Sequence, residues 1–317
     1  MTRWRGRLEC MIEIDWAAQA GRLRTTATDE AGWNEMVAES LVRSTDRLAV
    51  DVGCGGGGMA KALAAALPAG GSVVAIDADP DVLQEARDHT AGSAVRCELV
   101  SMDDGPEPLR EAIGVPADLI WASASVHHAA DQQAAIDALA SLLAPGGRLA
   151  LAEGGLPARS LPWDLGIGEP GLELRLDIAQ DRWFAAMRDA LPGTVPMPYG
   201  WTDALQRAGL TGVTTRSVLT EKPVPLSDED RERVVTQFQL RIERLTPGAG
   251  DHEPEHQHGH GHGHGHGSEL PAELALPAAD LAVWQELLDP DSPRYLGRRT
   301  DLAALSVRSI HVGHAPG

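Results

Sequence analysis

Aromatic side chains are scarce in this chain: they make up 4% of 317 residues, with two Phe and two Tyr beside eight Trp. The apolar fraction of 43% rests instead on Ala and Leu. With 23% charged residues, that balance is ordinary for a folded globular protein and excludes wholesale disorder. Cysteine is scarcer still. Cys10, Cys54 and Cys97 are odd in number and form no CxxC pair, which argues against a disulfide framework and for a reducing, cytoplasmic setting. Positive charge is short as well, with 27 Lys and Arg against 46 Asp and Glu and a formal net charge of −19. Such a surface repels a phosphate backbone, so nucleic acid is not an expected partner. The Arg3, Arg5 and Arg7 set reads as a solvated tail. No stretch of about 18 uninterrupted apolar residues occurs, and the first residues lack the apolar core of a signal peptide, so no membrane association is expected.

What is present is a rhythm. From 48 to 153, short apolar runs alternate with Ala- and Leu-rich stretches, the pattern of consecutive βαβ units around a parallel sheet. Strands are predicted at 48–52, 72–76, 94–100, 118–121 and 148–152, mostly apolar on both faces, as strands covered by helices on two sides read. Helices are predicted at 59–67, 80–89 and 131–143, the second capped by Asp79 with Pro80 in its first turn. The third is expected to stop at a Pro145-Gly146-Gly147 turn. Upstream, 15–42 reads as one or two amphipathic helices whose Trp16 and Trp33 are expected to pack in the core, with ligand contact as the alternative.

Beyond Glu153 the rhythm breaks. The stretch 156–199 is rich in Pro, Gly and Trp, with one helix at 178–191, followed by a short helix at 202–208 and a strand at 211–219. Ser227 and Asp230 open a helix in the manner of a capping box, another helix follows at 278–288, and 305–312 is the last strand.

The segment Val50-Asp51-Val52-Gly53-Cys54-Gly55-Gly56-Gly57-Gly58-Met59 joins the first strand to its helix. Glycines there let the backbone turn sharply and approach a ligand, and the helix N-terminus offers unpaired N–H groups. A nucleotide-like cofactor is implied. Asp77, ending the second strand, is placed to accept both hydrogen bonds of a ribose diol. Gly53, Gly55 and Gly58 also satisfy G-x-G-x-x-G, so a nicotinamide dehydrogenase fits the glycines equally well, and a cofactor-binding protein without catalysis is a third reading.

The same residues resemble the class I methyltransferase family, whose first motif is an acidic residue, one residue, then G-x-G-x-G: here Asp51-Val52-Gly53-Cys54-Gly55-Gly56-Gly57. A carboxylate two residues before the first glycine suits an ammonium, such as that of methionine, and would repel a pyrophosphate. The resemblance continues through Asp77, the turn Val100-Ser101-Met102-Asp103, the strand and His pair from Asp118 to His128, and Leu143-Ala144-Pro145-Gly146-Gly147-Arg148-Leu149. It implies S-adenosylmethionine as cofactor, held by Asp51, Gly53, Cys54, Gly55, Gly57, Asp77, Ala78, Met102, Asp103 and Ala122. It also implies a Rossmann-like α/β fold with a seven-stranded, mostly parallel sheet and an antiparallel last strand. A helical segment at 1–47 would then precede a methyltransferase domain at 48–317, with a lid insertion near 156–200 and a helical, His-rich insertion near 221–303 between the last two strands.

A sulfonium methyl is already activated, so such a protein mainly holds donor and acceptor in line at about 3 Å and excludes water. The expected acceptor is a small molecule with an oxygen or nitrogen nucleophile. A hydroxyl acceptor would need a base, and His127, His128 and Glu153 lie at the carboxyl ends of strands, where open α/β sheets build their sites. His128 is the candidate catalytic residue; packing and loop orientation are the alternative roles for both histidines. Trp163, Trp183, Tyr199 and Trp201 either line an acceptor pocket or fill a small core of their own. Finally, seven histidines fall between His252 and His266, five alternating with Gly. Glycine at every second position opposes packing, so a mobile loop is expected, with incidental divalent metal binding and no ordered metal site.

Overall fold

A computed structural model describes residues 14–246 and 270–317. The Arg3 to Arg7 set, Cys10 and the histidine run lie outside the described residues. Seven strands, β1 (Leu48–Val52), β2 (Ser72–Asp77), β3 (Val95–Leu99), β4 (Ala117–Ser123), β5 (Leu143–Arg159), β6 (Thr211–Glu221) and β7 (Leu305–His314), form one sheet in the order β3-β2-β1-β4-β5-β7-β6. The first five are parallel, with Val50 of β1 opposite Val74 on one side and Ile120 on the other. β7 enters between β5 and β6 and runs against both. The Ala315 N–H reaches the Gly147 carbonyl while that of Ala303 reaches Ser160, and Thr215 and Ser217 of β6 meet His311 and Ser309 in reversed order. This is the α/β sheet expected, antiparallel end included.

The described residues group into two compact units. The sheet unit comprises Ile14–Gly155, Pro192–Val218 and Arg308–Gly317. Its helices are α1 (Trp16–Asp29), α2 (Ala31–Leu41), α3 (Gly58–Ala66), α4 (Pro80–His89), α5 (Pro106–Ile113), α6 (Gln132–Ser141) and, after the sixth, α8 (Trp201–Arg207). Strand alternation sorts its core onto two faces. Val50, Val52, Val74, Ile76, Ile120 and Leu149 pack with Leu109 of α5, Ile136 and Leu139 of α6 and Leu205 of α8. On the other face Ala49, Ala75 and Ala150 leave room for α2, α3 and α4, whose Val37, Leu63 and Leu83 fill the space around Trp121. At the foot of the sheet the Arg148 guanidinium is buried with Asp46, Nη2 to Oδ2 at 2.5 Å, and also donates to the Leu41 carbonyl at the end of α2.

The second unit comprises Leu156–Leu191 and Leu219–Val307, with α7 (Leu172–Ala190), α9 (Asp228–Arg244) and α10 (Ala278–Leu288). Phe238 and Trp284 stack there with ring centres 4.8 Å apart, and Arg175 forks onto Asp280 at 2.8 and 2.9 Å. The Ser227 cap is present, its Oγ accepting from the Asp230 N–H at 3.1 Å.

Three elements differ from the sequence reading. α5 has no counterpart in the sequence reading; its Pro106 and Pro108 both lie in the first turn, where a missing N–H removes no helical bond. The Pro145-Gly146-Gly147 turn lies inside β5 as a bulge: β4 advances from Ala117 to Leu119 while β5 advances from Leu143 to Arg148. α7 begins at Leu172 rather than 178, its N-terminal turn anchored by Glu173, whose carboxylate takes the Ser160 and Leu161 N–H groups.

Candidate active site

β1 ends in Asp51 and the glycine loop. Asp51 is 2% exposed, and its Oδ2 is buried with no hydrogen-bond partner among the described residues. Burial pushes its pKa up from 3.8 to about 7; a backbone hydrogen bond from Ala60 opposes the rise and the charge of Asp77 adds to it. A buried carboxylate oxygen without a donor is a fit for a cationic group such as an ammonium. At Gly53, φ is +66°, and a Cβ there would stand 2.4 Å from Ser125 Cβ. At Gly56 a Cβ would meet the Leu23 carbonyl oxygen of α1 at 2.4 Å, so α1 lies against the loop backbone. Arg24 of α1 also pairs with Glu85 of α4 at 3.0 Å. Cys54 is tied to β2 by its N–H on the Ile76 carbonyl, and burial pushes its thiol pKa well up, the opposite of what a nucleophile requires.

Asp77 sits across from the loop. Its Oδ2 accepts from the Gly55 N–H at 3.0 Å and its Oδ1 from the Asp79 N–H at 3.2 Å, while exposed Ala78 follows it. Burial raises its pKa, and those backbone donors oppose the rise. Each carboxylate oxygen keeps further acceptor capacity for a hydroxyl. Asp79 caps α4 as expected, accepting from the Asp81 and Val82 N–H groups. Next to β3, a 3₁₀ turn at Met102–Asp104 is closed by a capping box between Ser101 and Asp104. Met102 is half-buried against the core, and Asp103 Oδ1 accepts from the Ala130 N–H at 3.1 Å. Ala122 is fully buried in β4, clustered with Val52 and Leu151.

Beyond β4 the chain turns through Ala124, a non-glycine residue at φ +48°, into a 3₁₀ turn at Val126–His128. Glu153 of β5 holds that turn. Its Oε1 accepts from the Ser125 and Val126 N–H groups at 3.0 and 2.9 Å, and its Oε2 lies 2.6 Å from His127 Nδ1. The Ser125 hydroxyl donates to the Val52 carbonyl at 3.1 Å, which seats the turn against the glycine loop. The His127 and His128 rings are 4.1 Å apart, and His128 meets Trp16 edge to face at 5.0 Å. Of the two histidines, it is therefore His127 that pairs with the carboxylate.

The four aromatics of the irregular stretch are divided between the units. Trp183 is buried under the Arg244 guanidinium, and exposed Trp163 covers Gly171. Tyr199 donates to Gln133 of α6, and the Trp201 indole lies near Gly154 of β5. Among the described residues no group of three or more His, Cys, Asp or Glu could hold a metal ion, and no helix is long and apolar enough to cross a membrane.

The profile of the methyltransferase domain family matches residues 50–149, which hold the glycine loop, Asp77, the Ser101 to Asp104 turn and the histidine pair. Residues 50–149 thus carry a methyltransferase domain of the class I S-adenosylmethionine-dependent kind. The ubiquinone biosynthesis O-methyltransferase of Xylella fastidiosa (strain 9a5c) is 38% identical to this methyltransferase over 100 residues, 32% of this chain and 39% of that protein. The likeness thus spans well under half the length of that curated relative. A chain of the Haloferax volcanii complex between the Trm112 methyltransferase activator and a methyltransferase aligns over 96% of this chain and 99% of its own, at 16% identity and a TM-score of 0.50, a likeness of fold. Haemonchus contortus phosphoethanolamine N-methyltransferase 2, solved with phosphomonomethylethanolamine and S-adenosylhomocysteine, aligns over 90% of this chain and 53% of its own, at 13% identity and a TM-score of 0.46.

Proposed function

We propose that this methyltransferase moves a methyl group from S-adenosylmethionine to a small-molecule acceptor carrying an oxygen or nitrogen nucleophile. The observation that carries the reading is Asp51: a buried carboxylate with an unpartnered oxygen, directly before a glycine loop. A pyrophosphate there would face that carboxylate, whereas the ammonium of a methionine moiety neutralises it. Gly53, Cys54, Gly55 and Gly57 supply loop backbone to the same end of the cofactor. Asp77, with Ala78 beside it, takes the ribose hydroxyls, and Met102 and Asp103 face the adenine. When bound, the cofactor supplies a methyl group already activated on a sulfonium, so the protein's task is alignment and exclusion of water. The Xylella relative, an O-methyltransferase, favours an oxygen acceptor.

Calorimetry with S-adenosylmethionine, S-adenosylhomocysteine and NAD tests the reading. The two sulfur nucleosides are expected to bind and NAD is not; binding of NAD alone would replace this reading with a dehydrogenase. Asp77→Asn keeps an acceptor oxygen but loses the charge, and is expected to weaken S-adenosylhomocysteine by about 1.5 kcal/mol, roughly tenfold.

A further inference from the structure

We propose that His127, oriented by Glu153, is the proton acceptor of this site, so that the acceptor class is one whose nucleophile must lose a proton as it attacks: a hydroxyl. The inference rests on the methyltransferase reading above and adds to it a residue, a tautomer and a substrate class.

The geometry is specific. Glu153 is 2% exposed and surrounded by three donors, the Ser125 and Val126 N–H groups on Oε1 and His127 Nδ1 on Oε2. An ionised carboxylate only accepts, so Nδ1 carries the proton and Nε2 is the basic nitrogen of the ring. The imidazole stands on a turn whose Ser125 is packed against Gly53 of the glycine loop. It therefore lies at the carboxyl ends of β1 and β4, beside Glu153 of β5, where a sheet of this kind holds its ligands. Among the described residues, the titratable groups around it include Glu153 itself, His128 with its ring 4.1 Å away, and His311 of β7, whose Nε2 reaches the Glu153 carbonyl. Asp131 at the cap of α6 and Asp103 on the Ala130 N–H flank the same turn.

In the step assigned to it, the acceptor oxygen forms a bond to the methyl carbon as the carbon–sulfur bond breaks, its electron pair staying on sulfur as a neutral thioether. The hydroxyl proton passes to His127 Nε2. The resulting imidazolium is held by Glu153 through Nδ1–H and later releases the proton to solvent. Glu153 is a positioning residue, acting through the ring and the turn.

Glu153→Gln is the informative variant. Its amide oxygen still accepts from the Ser125 and Val126 N–H groups, but its NH₂ donates to Nδ1 and turns the ring to the opposite tautomer. Long-range ¹H–¹⁵N NMR of the imidazoles is expected to show His127 protonated at Nδ1 in the parent protein and at Nε2 in Glu153→Gln. With catechol, phenol and a tertiary amine as probe acceptors and radiolabelled S-adenosylmethionine as donor, transfer to the hydroxyls is expected to fall about 10²-fold in both Glu153→Gln and His127→Asn. The rising limb of kcat/KM with pH should vanish with it, while S-adenosylhomocysteine affinity is retained. The proposal is overturned if His127 is protonated at Nε2 in the parent, if only the tertiary amine is methylated, or if His128→Ala rather than His127→Asn removes the pH limb. A parent protein that binds no S-adenosylhomocysteine overturns the methyltransferase reading itself; one that binds it and keeps its pH profile in Glu153→Gln overturns the pair alone.

Discussion

Gly53 and Ser125 abut so closely that only a hydrogen fits between them: a Cβ on Gly53 would stand 2.4 Å from Ser125 Cβ, and the Ser125 hydroxyl is already anchored on the Val52 carbonyl. The glycine loop and the histidine turn thus share a wall. Gly53→Ala combines a left-handed φ, worth about 1–2 kcal/mol, with an overlap worth about 1–3 more. A total loss of about 2–5 kcal/mol is expected in chemical denaturation, with S-adenosylhomocysteine binding lost in calorimetry.

Asp51 gives the ligand-free protein a pH dependence of definite sign. Its carboxyl titrates at about 7 rather than 3.8, chiefly because it is buried, so the folded chain keeps a proton that the unfolded chain gives up. The stabilisation is complete below about pH 4 and is lost as pH rises through about 7, on the order of 4 kcal/mol in all. Asp51→Asn should flatten that slope in urea titrations. An ammonium-bearing ligand selects the charged carboxylate, so S-adenosylhomocysteine affinity should tighten from about pH 5 to about 7 with proton release. 5′-Methylthioadenosine, which lacks the amino acid, should release none.

The buried Arg148 and Asp46 pair makes a separate prediction about the fold alone. Both side chains are 4% exposed, and Arg148 also closes the end of α2. Asp46→Ala strands the guanidinium and should lower stability by about 3–5 kcal/mol, read as a shifted denaturation midpoint. Cofactor affinity, measured at a temperature where the variant is folded, should stay the same.

The histidine-rich stretch is expected to be separable from all of this. Deleting 251–268 should leave S-adenosylhomocysteine affinity unchanged, because every residue assigned to the cofactor lies between Asp51 and Ala122. The full chain should be retained on immobilised Ni²⁺ and the deletion variant should not. Loss of methyl transfer on deletion, or on adding a chelator to the full chain, would make the stretch part of the active site.

Much of the frame was legible because its signals are local. Asp79 and Pro80 announce the start of α4, Ser227 and Asp230 that of α9, and the glycines mark the loop proposed to hold the cofactor. Neighbouring histidines, by contrast, carry the same local signal. Only Glu153, far along the chain on the adjacent strand, distinguishes His127 from His128, and only the fold shows Trp16 beside the latter. The bulge in β5 was hidden for a related reason: Pro-Gly-Gly reads as a reversal of direction, and the register of β4 decides that it is a detour.

The contact of Leu23 with Gly56 bears on what a minimal fragment of this protein can do. The family profile begins at residue 50, yet the floor beneath the glycine loop is made by Leu23, Ala27 and Asn34, which close on Gly56 and Gly58. Cut at the recognised border, the loop would keep every motif residue and lose the surface that holds its glycines in shape. Recognition by pattern and competence to bind have different boundaries here, and a transplanted binding module would have to carry α1 and α2 with it.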